Sequence, residues 1–327
     1  MRRTSIFTSF LHYRLAVASV VGLCAGKIGK SKEGDSSCEG DHLPTNQRLN
    51  RQMPVLAQKC VERYVKSDMT IGVGSDSVKF FLLKSIAKKL EDGELSNVTL
   101  IPSDADMKRQ LNRLGLRSIP VDEIRNLKTH KVDLAISGLD EVDPDMNVLK
   151  GSDGNFTRDR LVMQNASKLV YLLDETQLTS GIGPGKPIPV EIAPFGHRKT
   201  INDIQRLPSL AGCRSVIRRG SHHNALADGN YAATTPGGNY IVDLYFSSPI
   251  FNVETVAFEL DSTPGVIDHG LFINVSDDVT FLIADYHDIR VAGSDGELFF
   301  YSLTNDFNDA SCCFCTRRAY MVEQITR

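Results

Sequence analysis

Between Met69 and Leu173, short apolar runs alternate with segments whose apolar residues recur at helical spacing, and this alternation restricts the chain more than any single motif. Met69–Val73, Val98–Ile101, Val132–Ser137 and Lys168–Leu173 have the length and apolar content of strands. Val55–Lys66, Val78–Leu90, Ala105–Leu114 with Gly115 after it, and Arg160–Ala166 carry the period of amphipathic helices. Strands joined by helices cannot pair as tight hairpins. The pattern therefore predicts an α/β fold, a mostly parallel Rossmann-like sheet flanked by helices. Beyond Pro187 the texture changes, with strand signals at Val190–Ile192, Ile241–Phe246 and Gly270–Val275 and a helix at Val253–Leu260. A smaller inserted α+β subdomain is expected at about 190–265. Asp295-Gly296, between Ile289–Ala292 and Leu298–Leu303, is a hairpin signal.

The 327 residues, 41% of them hydrophobic, suffice for one large core or two modest ones. With 37 Lys+Arg against 40 Asp+Glu the net charge is −3, which provides no field for a polyanion, so nucleic acid is excluded as a general partner. The longest nearly apolar run, Leu15–Gly26, falls short of the roughly 18–20 residues of a bilayer span, and no membrane partner is expected. Six basic residues precede the first carboxylate, Glu33, and Ser and Thr are frequent before residue 20, the composition of an organelle transit peptide. Residues 1–53 read as such a leader with a polar linker. A plastid is the favoured destination, with mitochondrion, secretory route and cytoplasm as alternatives. The folded domain is expected over 54–301 and a disordered tail over 302–327. The cysteines, Cys24, Cys38, Cys60, Cys213, Cys312, Cys313 and Cys315, are odd in number and irregularly spaced, which fits a reducing compartment.

In a sheet of this kind the chemistry sits in the loops after the strands. Gly72-Val73-Gly74-Ser75-Asp76-Ser77 follows the first strand and opens a helix; it reads either as an anion cradle or as a tight turn with Ser77 as N-cap. Ser137-Gly138-Leu139-Asp140-Glu141 follows the third strand. Soon after comes Lys150-Gly151-Ser152-Asp153-Gly154, and a carboxylate, Asp159, lies nine residues beyond the lysine at a helix start. This set can hold a sugar phosphate and move a proton, or it can consist of surface turns.

The order, spacing and flanks of these segments resemble ribose-5-phosphate isomerase of the type A family, in its plant plastid form. The family's G-x-G-T-G-S-T matches Gly72–Val78, its D-G-A-D-E matches Ser137–Glu141, and its K-G-G-G-A-A-L-T-R-E-K matches Lys150–Arg160. P-L-P-V-E-V matches Pro187–Ile192, and P-G-V-V-x-x-G-L-F matches Pro264–Phe272. The resemblance implies interconversion of ribose 5-phosphate and ribulose 5-phosphate through an enediolate, without metal or nucleotide cofactor, in a homo-oligomer (dimer or tetramer). It places the general base on Asp159, the oxyanion-stabilising lysine on Lys150 and a second acid on Asp140. Substrate contacts fall on Gly74, Ser75, Asp76, Ser77, Val78, Ser137, Gly138, Leu139, Gly151, Ser152, Asp153 and Gln177.

The departures are chemical. Ser137 stands where the family has the first Asp of D-G-A-D, which removes a carboxylate that serves proton transfer between the sugar oxygens. Asp159 replaces Glu and is shorter by one methylene. Val78 replaces a Thr hydroxyl, Ser152 and Asp153 replace glycines, and Gln177 replaces a lysine. Asp76 replaces Gly beside the expected phosphate; unless it points away, two like charges at about 4 Å in an effective dielectric near 20 repel by roughly 4 kcal/mol, on the order of 1,000-fold in affinity. The alternative function is therefore a weak or inactive relative that binds a metabolite or serves as a regulatory or structural subunit. His222-His223 is not expected to hold a metal, since neighbours on a strand face opposite ways.

Overall fold

A computed structural model describes residues 45–76, 78–123, 132–225, 231–284, 288–293 and 298–302. The leader up to residue 44, Ser77 and the tail with Cys312, Cys313 and Cys315 lie outside the described residues. In chain order the first half carries α1 (Thr45–Tyr64), β1 (Thr70–Val73), α2 (Lys79–Glu91), β2 (Thr99–Pro102), α3 (Ala105–Arg113), β3 (Leu134–Gly138), β4 (Glu141–Val142), β5 (Val148–Leu149), α4 (Phe156–Met163) and β6 (Leu169–Asp174). The second carries β7 (Ile188–Ile192), α5 (His197–Ile204), β8 (Arg214–Ile217), β9 (Arg219–Ala225), β10 (Tyr231–Ala232), β11 (Tyr240–Tyr245), α6 (Val253–Asp261), β12 (Val266–His269), β13 (Leu271–Phe272), β14 (Val279–Ala284), β15 (Asp288–Gly293) and β16 (Leu298–Ser302).

Seven strands form the main sheet in the order β16-β15-β14-β6-β3-β1-β2. From β2 to β14 all neighbours are parallel, and β15 and β16 add an antiparallel edge. The alternation of side chains along β6 shows why these strands are apolar throughout. Val170 and Leu172 face α1 and α2 in one core, whereas Leu169, Tyr171 and Leu173 pack with Phe156 and Met163 of α4 in another. The chain passes from β1 to β2 on one side and then to β3 on the other. That reversal opens a crevice between the ends of β1 and β3, the place where doubly wound sheets bind ligands.

A second, four-stranded antiparallel sheet, β12-β7-β11-β8, has its own core with α5 and α6. The segment after β5 joins this second sheet where Gly270 N–H donates to Pro189 O (2.8 Å) and Lys150 N–H donates to Gly270 O (2.9 Å). Several boundaries differ from the sequence reading. Helix α1 starts nine residues before Pro54 and holds that proline inside it, at the loss of one backbone hydrogen bond. Helix α4 begins at Phe156, so Asp159 lies in its first turn. Of the expected strand Gly270–Val275 only Leu271–Phe272 (β13) is a strand, and Gly270 separates it from β12. Strands β8, β9 and β10 carry too many polar residues to show an apolar signal. Among the described residues no helix is long and apolar enough to cross a membrane.

Candidate active site

Asp159 lies at the floor of the crevice, fully buried, where the first turn of α4 meets the loop after β1. Ser75 N–H donates to its Oδ1 (3.0 Å) and Ser75 Oγ to its Oδ2 (3.0 Å), while Asn155 Nδ2 reaches Oδ1 at 3.3 Å. Lys150, leaving β5, brings Nζ to 3.2 Å from Asp159 Oδ2, and both side chains are buried. Burial pushes the Asp159 carboxyl above the ordinary carboxylate range, with the Lys150 ammonium pulling the other way. For Lys150 burial opposes the charge, but the Asp159 and Asp76 carboxylates outweigh it and hold the pKa above the usual lysine value. The pair is thus a permanent cation beside a base whose proton affinity has been raised.

Lys150 Nζ also donates to Ser137 Oγ (2.9 Å) and Gly138 O (2.6 Å) at the end of β3. Ser137 Oγ in turn donates to Asp76 Oδ2 (3.0 Å), which Gly138 N–H also meets. Asp76 turns inward, and its Oδ1 accepts from Val78 N–H at 2.9 Å, at the start of α2. Gly74 and Gly138 make this approach possible. A Cβ at Gly138 would stand 2.7 Å from Asp76 Cγ, and one at Gly74 would stand 2.0 Å from Ser137 Oγ. Ser75, Asp76, Ser137, Gly138, Lys150 and Asp159 therefore meet in one network.

The other expected contacts lie around it. Asp153 is exposed and hydrogen-bonds Ser75 Oγ. Asp140 accepts from Ser152 N–H (2.8 Å) and Ser152 Oγ, with Lys186 Nζ 3.8 Å away, so its partners are on the rim and not in the Lys150–Asp159 pair. Gln177 donates to Leu139 O and accepts from Asp174 N–H (2.9 Å), bracing the loop after β3. Val78 is buried in the core under α2, and a turn N-cap at Ser77 lies outside the described residues. Gly151 backs against Phe156 and Pro189.

Two supporting groups escaped the sequence reading. Arg218, between β8 and β9, forks onto Asp243 (2.9 and 2.6 Å) and donates to the carbonyls of Gly151 and Ser152, both at 3.0 Å. Asn155 links Asp159 to Ser103 Oγ (3.3 Å). Arg218 has no local signal, since it acts across the chain, and Asn155, four residues before Asp159, is distant only from Ser103. Among the described residues no three His, Cys, Asp or Glu side chains gather as a metal site. The arrangement can abstract and return a proton at a carbon and hold the oxyanion that results.

Residues 99–285 match the family described as Ribose 5-phosphate isomerase A (phosphoriboisomerase A). The ribose-5-phosphate isomerase of Plasmodium falciparum is 34% identical over 68% of this chain and 89% of its own length. A probable ribose-5-phosphate isomerase 3, chloroplastic, of Arabidopsis thaliana is 34% identical over 72% of this chain and 80% of its own. The solved structure of the Plasmodium falciparum enzyme superposes with a TM-score of 0.64 at 30% identity, covering 77% of this chain and 98% of that one.

Proposed function

The chain belongs to the ribose 5-phosphate isomerase A family, and we propose that its crevice interconverts ribose 5-phosphate and ribulose 5-phosphate through an enediolate. The observation that carries this is the buried Lys150–Asp159 pair at the sheet's switch point. With the open-chain sugar's C1–C2 edge against Asp159, the carboxylate takes the C2 hydrogen, acidic only because of the neighbouring carbonyl, and returns it to C1. The Lys150 ammonium stabilises the negative oxygen between the two steps, and burial strengthens that interaction. Asp140 and the backbone of Gly74–Asp76, Gly138–Asp140 and Gly151–Asp153 shape the entrance and receive the substrate.

The relatives named above are isomerases, and none supports the regulatory or structural alternative. The basic leader is read as a plastid address, in keeping with the chloroplastic name of one Arabidopsis relative. A homo-oligomer follows from the family resemblance. The test is direct: full-length chain, without added metal or nucleotide, is expected to bring ribose 5-phosphate and ribulose 5-phosphate to the same mixture from either side. No conversion in either direction contradicts the reading.

A further inference from the structure

An aldose–ketose exchange moves two protons. One passes from C2 to C1, and Asp159 is placed to carry it. The other leaves the O2 hydroxyl and arrives on O1. While the enediolate exists, Asp159 holds the carbon-derived proton and cannot accept a second. Lys150, surrounded by carboxylates, stays charged and has no lone pair with which to take the O2 proton. Ser137, at the matching place on β3, has a hydroxyl and no carboxylate.

The carboxylate nearest to that gap comes from the facing loop. Asp76 Oδ2 accepts from Ser137 Oγ (3.0 Å) and from Gly138 N–H, and Ser137 Oγ accepts from Lys150 Nζ (2.9 Å). Unlike Asp159, Asp76 is only partly buried, so a sugar in the crevice can reach it. Its Oδ1 accepts from Val78 N–H at the amino end of the 13-residue α2, where the helix dipole favours an anion. Gly138 leaves the space that its carboxyl group needs. Asp140 and Asp153 are less suited, since Asp140 is bonded to Ser152 and Asp153 to Ser75, whereas Asp76 is bonded to Ser137 itself.

We propose that Asp76 is the second acid–base group of this site, taking the O2 proton and delivering it to O1. This rests on the isomerase reading above. In the aldose-to-ketose direction the C2–H bond breaks to Asp159, the electron pair forms the C1=C2 double bond, and O1 becomes the oxyanion beside Lys150. The Asp76 carboxylate then takes the O2 proton and delivers it to O1. The electron pair of O2 forms the new carbonyl as C1 takes the proton from Asp159. No oxidant or co-reactant is needed. The carboxylate missing at Ser137 and the one gained at Asp76 are then a single exchange of side chains across the gap between β3 and β1.

The test compares kcat at saturating ribose 5-phosphate, where altered phosphate affinity drops out. Asp76→Asn is expected to lose about 100-fold, within the range of general acid–base contributions. Asp76→Gly with Ser137→Asp, which returns the carboxylate to β3, is expected to recover to within about tenfold of the unaltered chain. The double variant also answers if Asp76→Asn unfolds, as a thermal melt would reveal. A kcat for Asp76→Asn or Asp76→Gly within about threefold of the unaltered chain overturns the proposal, as does a double variant no better than Asp76→Gly. An inactive unaltered chain instead refutes the isomerase reading, and this inference with it.

Discussion

The loop after β1 and the loop between β5 and α4 reach the same buried carboxylate, yet they have changed in opposite ways. The second keeps its lysine and its acid nine residues apart, and they meet at 3.2 Å. The first carries an acid at Asp76 in place of the family's glycine and a buried apolar side chain at Val78 in place of a hydroxyl. Taken by itself, the first loop looks spoiled for an anionic sugar. Its Ser75 nevertheless holds Asp159, and its Asp76 holds Ser137, on the strand where a carboxylate is lacking. A substitution in such a loop has its meaning in the neighbouring strand that it faces.

If the second loop carries the carbon chemistry, Asp159→Asn has the largest effect, a fall in kcat on the order of 1,000-fold by steady-state assay. Lys150→Met comes next, at about 100-fold, because it removes a charge placed for the oxyanion. The same variant sharpens the assignment through pH. Asp159 works ionised, so activity is lost as pH falls through its pKa, which burial has raised above the ordinary carboxylate value of about 4. Removing the ammonium that pulls this pKa down is expected to move the acid limb of kcat/KM to still higher pH. Arg218→Ala is expected to act less, about tenfold in kcat, since it only loosens the backbone behind Lys150. It also strands the buried Asp243 and is expected to lower stability by on the order of 3 kcal/mol in denaturant titration. A larger catalytic loss for Arg218→Ala than for Lys150→Met breaks the contrast between the groups that react and those that support them.

The parallel half was legible because β1, β3 and β6 are buried on both faces and so are apolar without interruption. The Lys150–Asp159 pair was legible through the family resemblance, because its spacing is local and matches the family's segment. The contact of Asp76 with Ser137 was not. It joins residues 61 positions apart, and only the pairing of β1 with β3 brings their following loops together. The strands around Arg218 were hidden by their polar composition, and Arg218 itself, between β8 and β9, acts on a loop 66 residues away. Helix α1 begins ten residues before Val55, where the apolar period starts, because residues 45–53 are mostly polar and show no such period.

The most direct measurement follows the hydrogen that Asp159 is held to remove. With ribose 5-phosphate deuterated at C2, the unaltered chain is expected to clear the label from C2, and to turn over more slowly than with the unlabelled sugar. Asp159→Asn is expected to leave the label in place. Loss of label from C2 at the unaltered rate in Asp159→Asn contradicts the assignment of the proton transfer to this carboxylate.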